Sequence, residues 1–166
     1  MSGSSRSIRV PYIRDGLDED GEKIPDIPIL YLTLRSERGR ARGPAIVDTG
    51  FDGGIYPNIK IIRILEGLKP LRTKRIESPL YEPIECEIYN VEAALLDRGG
   101  GQQIPLGTVN LYVPTEPEYL SNEVLIGREL LNKLELRLNG RWTEIKPDRF
   151  KSPHKNMMKR AGRSGV

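Results

Sequence analysis

The sequence is poor in the residues that build most redox, metal and disulfide chemistry. It has one cysteine and one histidine in 166 residues. A single cysteine excludes an intramolecular disulfide and fits a reducing compartment, so a cytoplasmic location is expected. A zinc site would need mostly carboxylates, so no metal and no cofactor is expected. A nucleophilic role for Cys86 would need a nearby base. The sole histidine, His154, lies in a basic stretch, and burial as a small apolar side chain is the expected fate of the thiol. Long apolar runs are missing too. Nothing approaches the about 20 apolar residues that a spanning helix requires. Met1-Ser2-Gly3-Ser4-Ser5-Arg6 has no apolar signal core, and no membrane partner is expected. There is no internal repeat, which argues against two similar lobes in one chain.

The charge that is present is unevenly placed. The formal net charge is +3, from 26 basic and 23 acidic residues. Arg149, Lys151, Lys155, Lys159, Arg160 and Arg163 crowd the C-terminal end with no acid among them, and setting them aside leaves a slight excess of acid. Residues 147–166 therefore read as a basic, disordered tail. Such a tail can attract polyanions. It lacks the interleaved aromatics of a single-strand binding groove, and nucleic acid is not an expected partner.

Between the ends the pattern is that of short strands. Ile8, Val10 and Tyr12 alternate within Arg6 to Ile13, with Pro11 restricting that stretch to an edge or an arm. Asp15, Asp18, Glu19 and Asp20 lie in a polar loop whose spacing does not match a calcium site, so a solvated turn is expected. Leu30, Leu32 and Leu34 share one face of a strand from Ile29 to Arg35, and Ala41 to Asp48 returns antiparallel. Asn58 is placed to cap a short helix over 59–65. Strands are expected over 72–77 and 84–96 around Ser78-Pro79-Leu80-Tyr81-Glu82-Pro83, and over 104–114. A short buried strand over 124–126 runs into a helix over 128–133. Asn139-Gly140 is a strong hairpin signal between two last strands. The expected architecture is all-β with one or two short helices. An N-terminal arm and polar loop (1–27) would precede one domain (28–146) and the tail.

One stretch within this pattern carries chemistry. In Ala45-Ile46-Val47-Asp48-Thr49-Gly50, an apolar strand runs directly into a carboxylate. Burying that group is costly unless something hydrogen-bonds it. Thr49 brings a hydroxyl, and Gly50 permits a sharp turn with close backbone approach. Asp48-Thr49-Gly50 after an apolar strand resembles the active-site triplet of aspartic proteases. Val124-Leu125-Ile126-Gly127-Arg128-Glu129-Leu130-Leu131 resembles the segment near the C-terminus of retropepsins, where two hydrophobic residues and a Gly precede an Arg and a short helix. The resemblance covers roughly Pro28 to Lys146 and is nearest to the short archaeal and bacterial members of that group.

That resemblance implies a single-lobe, closed β-barrel that dimerises. Asp48 would be the catalytic residue, paired with its copy in the partner. Thr49 would bond across the two-fold axis, and Gly50 would leave room for substrate and water. Asp52 would pair with Arg128, which follows Gly127, and so tie the catalytic loop to the last helix; the alternative is that Arg128 faces solvent. Phe51, Asp52 and Tyr81 would contact substrate, Tyr81 from a hairpin resembling the retropepsin flap. Its two prolines depart from the usual Gly-rich tip, and a plain surface hairpin is the alternative. Phe51 also departs from the usual Ala, Ser or Thr, and so removes a hydroxyl that would stabilise a charged carboxylate. The implied function is an aspartic endopeptidase acting on peptides or unfolded protein. A catalytically inactive dimeric binding or scaffold domain of the same fold is the alternative.

Overall fold

The computed structural model describes residues 7–78, 81–99 and 101–146, the side chains of Ser78 and Tyr81 excepted. The first six residues, the hairpin tip at 79–80, Gly100 and the basic tail fall outside these residues, as does the expected substrate contact of the Tyr81 side chain.

The chain is mostly β. In order, the strands are β1 (Ile8–Pro11), β2 (Ile29–Arg35), β3 (Arg40–Val47), β4 (Ile55–Tyr56), β5 (Arg72–Ser78), β6 (Tyr81–Leu96), β7 (Gln103–Pro114), β8 (Leu125–Ile126), β9 (Glu135–Leu138) and β10 (Trp142–Lys146). Two short helices, α1 (Ile59–Ile62) and α2 (Arg128–Leu131), interrupt them. Seven strands form one sheet in the order β2-β3-β8-β4-β7-β6-β5, and β2 also pairs with β6. The pairings therefore run from β2 through the sheet and back to β2.

The period-2 pattern explains the inner face. Leu30, Leu32 and Leu34 are buried while Tyr31 and Thr33 are only half-buried, as alternation along a strand demands. The register between β6 and β7 shifts between Ala93 and Ala94, opposite Gly107, whose φ of 72° suits a bulge. At α1 the Asn58 side chain accepts from the Ile61 amide at 3.0 Å, and a 3₁₀ turn over Arg63–Leu65 continues the helix. The acidic loop closes on itself, with the Asp18 carboxylate accepting from the Asp20 and Glu22 amides. The last hairpin turns at Gly140, at a φ of 84°.

The terminal strands form a second sheet, ordered β1-β10-β9. Ile8 lies opposite Ile145 and Val10 opposite Thr143. Ile8, Val10 and Ile145 belong to the main apolar cluster together with Leu30 and Leu34. β1 therefore packs on the domain as an outer strand, the edge position that Pro11 allows. Among the described residues β1 and β9 are the two outer strands of this sheet, and Leu138 on β9 is 46% exposed.

A smaller cluster gathers Phe51, Tyr56, Ile76, Cys86, Ile88 and Tyr112. It fills the space between the loop after β3 and the β5–β6 hairpin. Cys86 is fully buried there, and burial, reinforced by nearby Glu85, pushes its thiol up to about 12. Such a thiol is an inert apolar group.

Candidate active site

The site is built where β3 ends. β3 pairs in parallel with β8, Ile46 opposite Leu125 and Val47 opposite Ile126, and β4 closes the other side of β8. The Asp48 amide donates to the Ile126 carbonyl at 3.0 Å, which fixes the backbone of the carboxylate-bearing residue. The chain then turns. The Gly50 amide donates to Asp48 Oδ1 at 2.9 Å and the Phe51 amide to the Asp48 carbonyl at 3.3 Å. Asp48 is half-buried, while Thr49 and Gly50 are exposed. One carboxylate oxygen is thus held by the loop's own backbone. The other oxygen and the Thr49 hydroxyl take no hydrogen bond among the described residues.

The loop is clamped by the start of α2. The Gly127 amide donates to Gly54 O at 2.8 Å, Arg128 to Phe51 O at 2.8 Å and Glu129 to Gly53 O at 3.1 Å. These are the amides that a helix leaves without intrahelical partners, and here loop carbonyls satisfy them. The close approach explains Gly127. A Cβ there would lie 2.3 Å from Gly53 O and 2.7 Å from Phe51 O.

The Asp52–Arg128 ion pair implied by the family resemblance is not formed in the structure. Both side chains are exposed, and no ion pair joins them. An exposed pair gains little against solvation and side-chain entropy. The link between loop and helix that it was expected to supply is carried by backbone bonds, through the Arg128 amide. Phe51 also differs from expectation. It is only 7% exposed, edge-on to Tyr56 and Tyr112 with ring centroids 6.1 and 5.5 Å away. Its ring is a buried anchor beneath the loop. Asp52 remains at the surface, close enough to Tyr112 to bear on its hydroxyl.

Sequence reasoning missed Glu129, Asn110, Tyr112 and Tyr56. The Glu129 carboxylate accepts from Asn110 Nδ2 at 3.1 Å and from the Tyr112 hydroxyl. Burial, then the bond and charge of Glu129, then Asp52, push the Tyr112 phenol upward, against a smaller opposing pull from Arg72. Lys74 Nζ sits 5.5 Å over the Tyr112 ring. The Tyr56 hydroxyl donates to Tyr119 O at 2.5 Å, and burial, with smaller contributions from Cys86 and Tyr119, raises it to about 12. The available signal was an acid in the first turn of a helix, at Glu129. Its partners on β7 follow only from the fold.

A groove of about 460 Å³ lies along β3, α1 and the loop around Ile13, with Pro44, Ile46 and Ile61 among its walls but not Asp48. Among the described residues no group of His, Cys, Asp or Glu is arranged to hold a metal ion. No described helix is long and apolar enough to cross a membrane.

A mostly β domain that presents one carboxylate at the end of an inner strand is thus the class that fold and site define. The chain is similar to the crystal structure of a retropepsin-like aspartic protease from Rickettsia conorii. The match has 15% sequence identity, covers 84% of this chain and 91% of that one, and has a TM-score of 0.47. No protein-family profile and no curated protein matches the sequence.

Proposed function

We propose that this chain is one half of a homodimeric aspartic endopeptidase that hydrolyses peptide bonds in unfolded protein. The observation that carries this reading is the presentation of Asp48. It is half-buried at a strand end, with one oxygen held by the Gly50 amide at 2.9 Å and the loop clamped by α2.

One carboxylate cannot perform the reaction. A water must be held between two, one taking its proton as general base and the other donating to the carbonyl oxygen as general acid. Two carboxylates in contact cannot both ionise, so they share a proton and titrate as a unit. The chain carries a single Asp-Thr-Gly, and a two-fold axis brings the second from an identical chain. Three features support this arrangement. The Thr49 hydroxyl has no partner within the described residues and is available across such an axis. The terminal sheet ends at β9, whose rim with exposed Leu138 offers a strand edge to a second copy. The circuit of pairings from β2 back to β2 fits a closed barrel with the carboxylate at one end.

Thr49, Gly50 and Gly127 then act as support for the catalytic loop. The β5–β6 hairpin is the lid over bound peptide, with Asp52 at the substrate. No cofactor or metal takes part, and the buried single thiol fits a cytoplasmic setting. The test compares wild type with Asp48→Asn on an unfolded protein substrate across pH, with pepstatin in parallel. The variant should lose cleavage by at least about 10³-fold, the order seen when a member of a catalytic constellation is removed. Equal cleavage by both proteins would leave a binding or scaffold domain of this fold.

A further inference from the structure

We infer that Glu129 is a positioning residue for the Asp48 loop, acting through the Tyr112 hydroxyl and the Asn110 amide. The inference rests on the proposed function, since it concerns how the Asp48 carboxylate is aimed.

Glu129 touches the loop by two routes. Its backbone amide donates to Gly53 O at 3.1 Å. Its Oε2 lies 3.0 Å from where a Cβ on Gly54 would stand, so the carboxylate rests on the loop backbone. The same carboxylate crosses to β7, where Asn110 Nδ2 and the Tyr112 hydroxyl donate to it. Tyr112 is fully buried, and without Glu129 its hydroxyl would lose its hydrogen-bond acceptor inside the protein. The Tyr112 ring in turn packs edge-on against Phe51, and the Phe51 carbonyl takes the Arg128 amide. The contacts close a circuit from loop to β7 to α2 and back to the loop. Asp48 stands three residues before Phe51, at the open end of this circuit.

A closed circuit of this kind holds position better than any one of its bonds. The proposed chemistry needs two carboxylates at contact distance, and a misplacement of about 1 Å can cost on the order of 10²-fold in rate. Glu129 need not touch substrate to have that effect. Asp52, Arg72 and Lys74 are ionisable groups that bear on Tyr112, and Tyr112 in turn donates to the Glu129 carboxylate.

The experiment uses the full-length chain. Active sites are counted by pepstatin titration, and kcat, KM and pH–rate profiles are then measured per titrated site. Glu129→Ala and Tyr112→Phe should each lower kcat per site by about 10-fold or more, change KM by less than about threefold and shift the acid limb of kcat/KM. Glu129→Gln should restore kcat to within about threefold of wild type. Its amide accepts from Tyr112 and donates to a flipped Asn110. The double variant Glu129→Ala with Tyr112→Phe should be no worse than Glu129→Ala alone, because both break one circuit. Unchanged kcat per site and unchanged pH limbs in Tyr112→Phe and Glu129→Ala, with any loss confined to the number of titratable sites, would overturn the inference. Should Glu129→Ala fail to fold, Tyr112→Phe alone decides by the same criterion. Asp48→Asn separates the two claims: full cleavage by that variant removes the proposed enzyme itself. Loss in Asp48→Asn with unchanged kcat in Tyr112→Phe removes only the role of Glu129.

Discussion

The Asp48 loop and the terminal sheet are built on opposite principles. The loop is closed on itself: backbone bonds join it to β8 and α2, and Phe51 pins it from below. The terminal sheet is unfinished. Among the described residues it has β9 as an outer strand, leaves Leu138 exposed and buries the Thr143 hydroxyl without a hydrogen-bond partner. One region is complete within a single chain, whereas the other ends where a second chain could begin. Under the proposed function that division is useful, with rigidity at the carboxylate and an outer strand at the contact.

The sharpest way to break the comparison is at the loop's anchor. Phe51→Ala empties the centre of the smaller cluster and should cost about 3–5 kcal/mol in urea unfolding. If the ring were a surface contact, the loss would be within about 0.5 kcal/mol.

At the open rim the expected result is reversed. Leu138→Glu should leave the chain's own fold within about 0.5 kcal/mol. It should weaken self-association by about tenfold or more, read by analytical ultracentrifugation, since a charge replaces apolar contact. Unaltered association would move the contact away from β9.

Thr143→Val tests whether the terminal sheet carries an avoidable cost. Replacing a buried, unbonded hydroxyl by a methyl should stabilise by about 1 kcal/mol, seen as a higher thermal midpoint. A loss of stability would show that the hydroxyl has a partner.

The smallest effect is expected at the β1–β10 seam, and it depends on pH. Burial pushes the Glu144 carboxyl up, but the Arg9 guanidinium at 3.2 Å, with a further bond from Ser7, outweighs it and holds the group below its ordinary value. A carboxyl lowered on folding adds stability above its unfolded pKa and loses it as pH falls through the folded value. Glu144→Gln should therefore match wild type in strong acid and fall below it above about pH 4.5, a usual glutamate value. A constant difference across pH would show that the pair contributes through packing alone.

Much of the fold was legible because it depends on neighbours in sequence. Leu30, Leu32 and Leu34 alternate, Asn58 caps the helix, and Asn139-Gly140 turns the last hairpin; each is decided within a few residues. The place of Asp48 was legible for the same reason, since an apolar strand ends on it. The failures all involve distance along the chain. Asp52 and Arg128 looked paired by motif, yet solvent takes both side chains while the Arg128 amide makes the link. Phe51 was a substrate contact by family resemblance alone, and only the packing of β6 and β7 beneath it put its ring in a buried cluster. Glu129 drew no notice because its partners are 17 and 19 residues away on another strand.

By itself the sequence determined that this chain is a run of short strands with one carboxylate set at the end of an apolar one. Alternation, caps and turn residues act locally and do not need the rest of the molecule. Only the tertiary structure decided which groups hold that carboxylate's loop and which edge stays open. Hydrogen bonds and burial between remote segments depend on register, and register is settled when the sheets assemble.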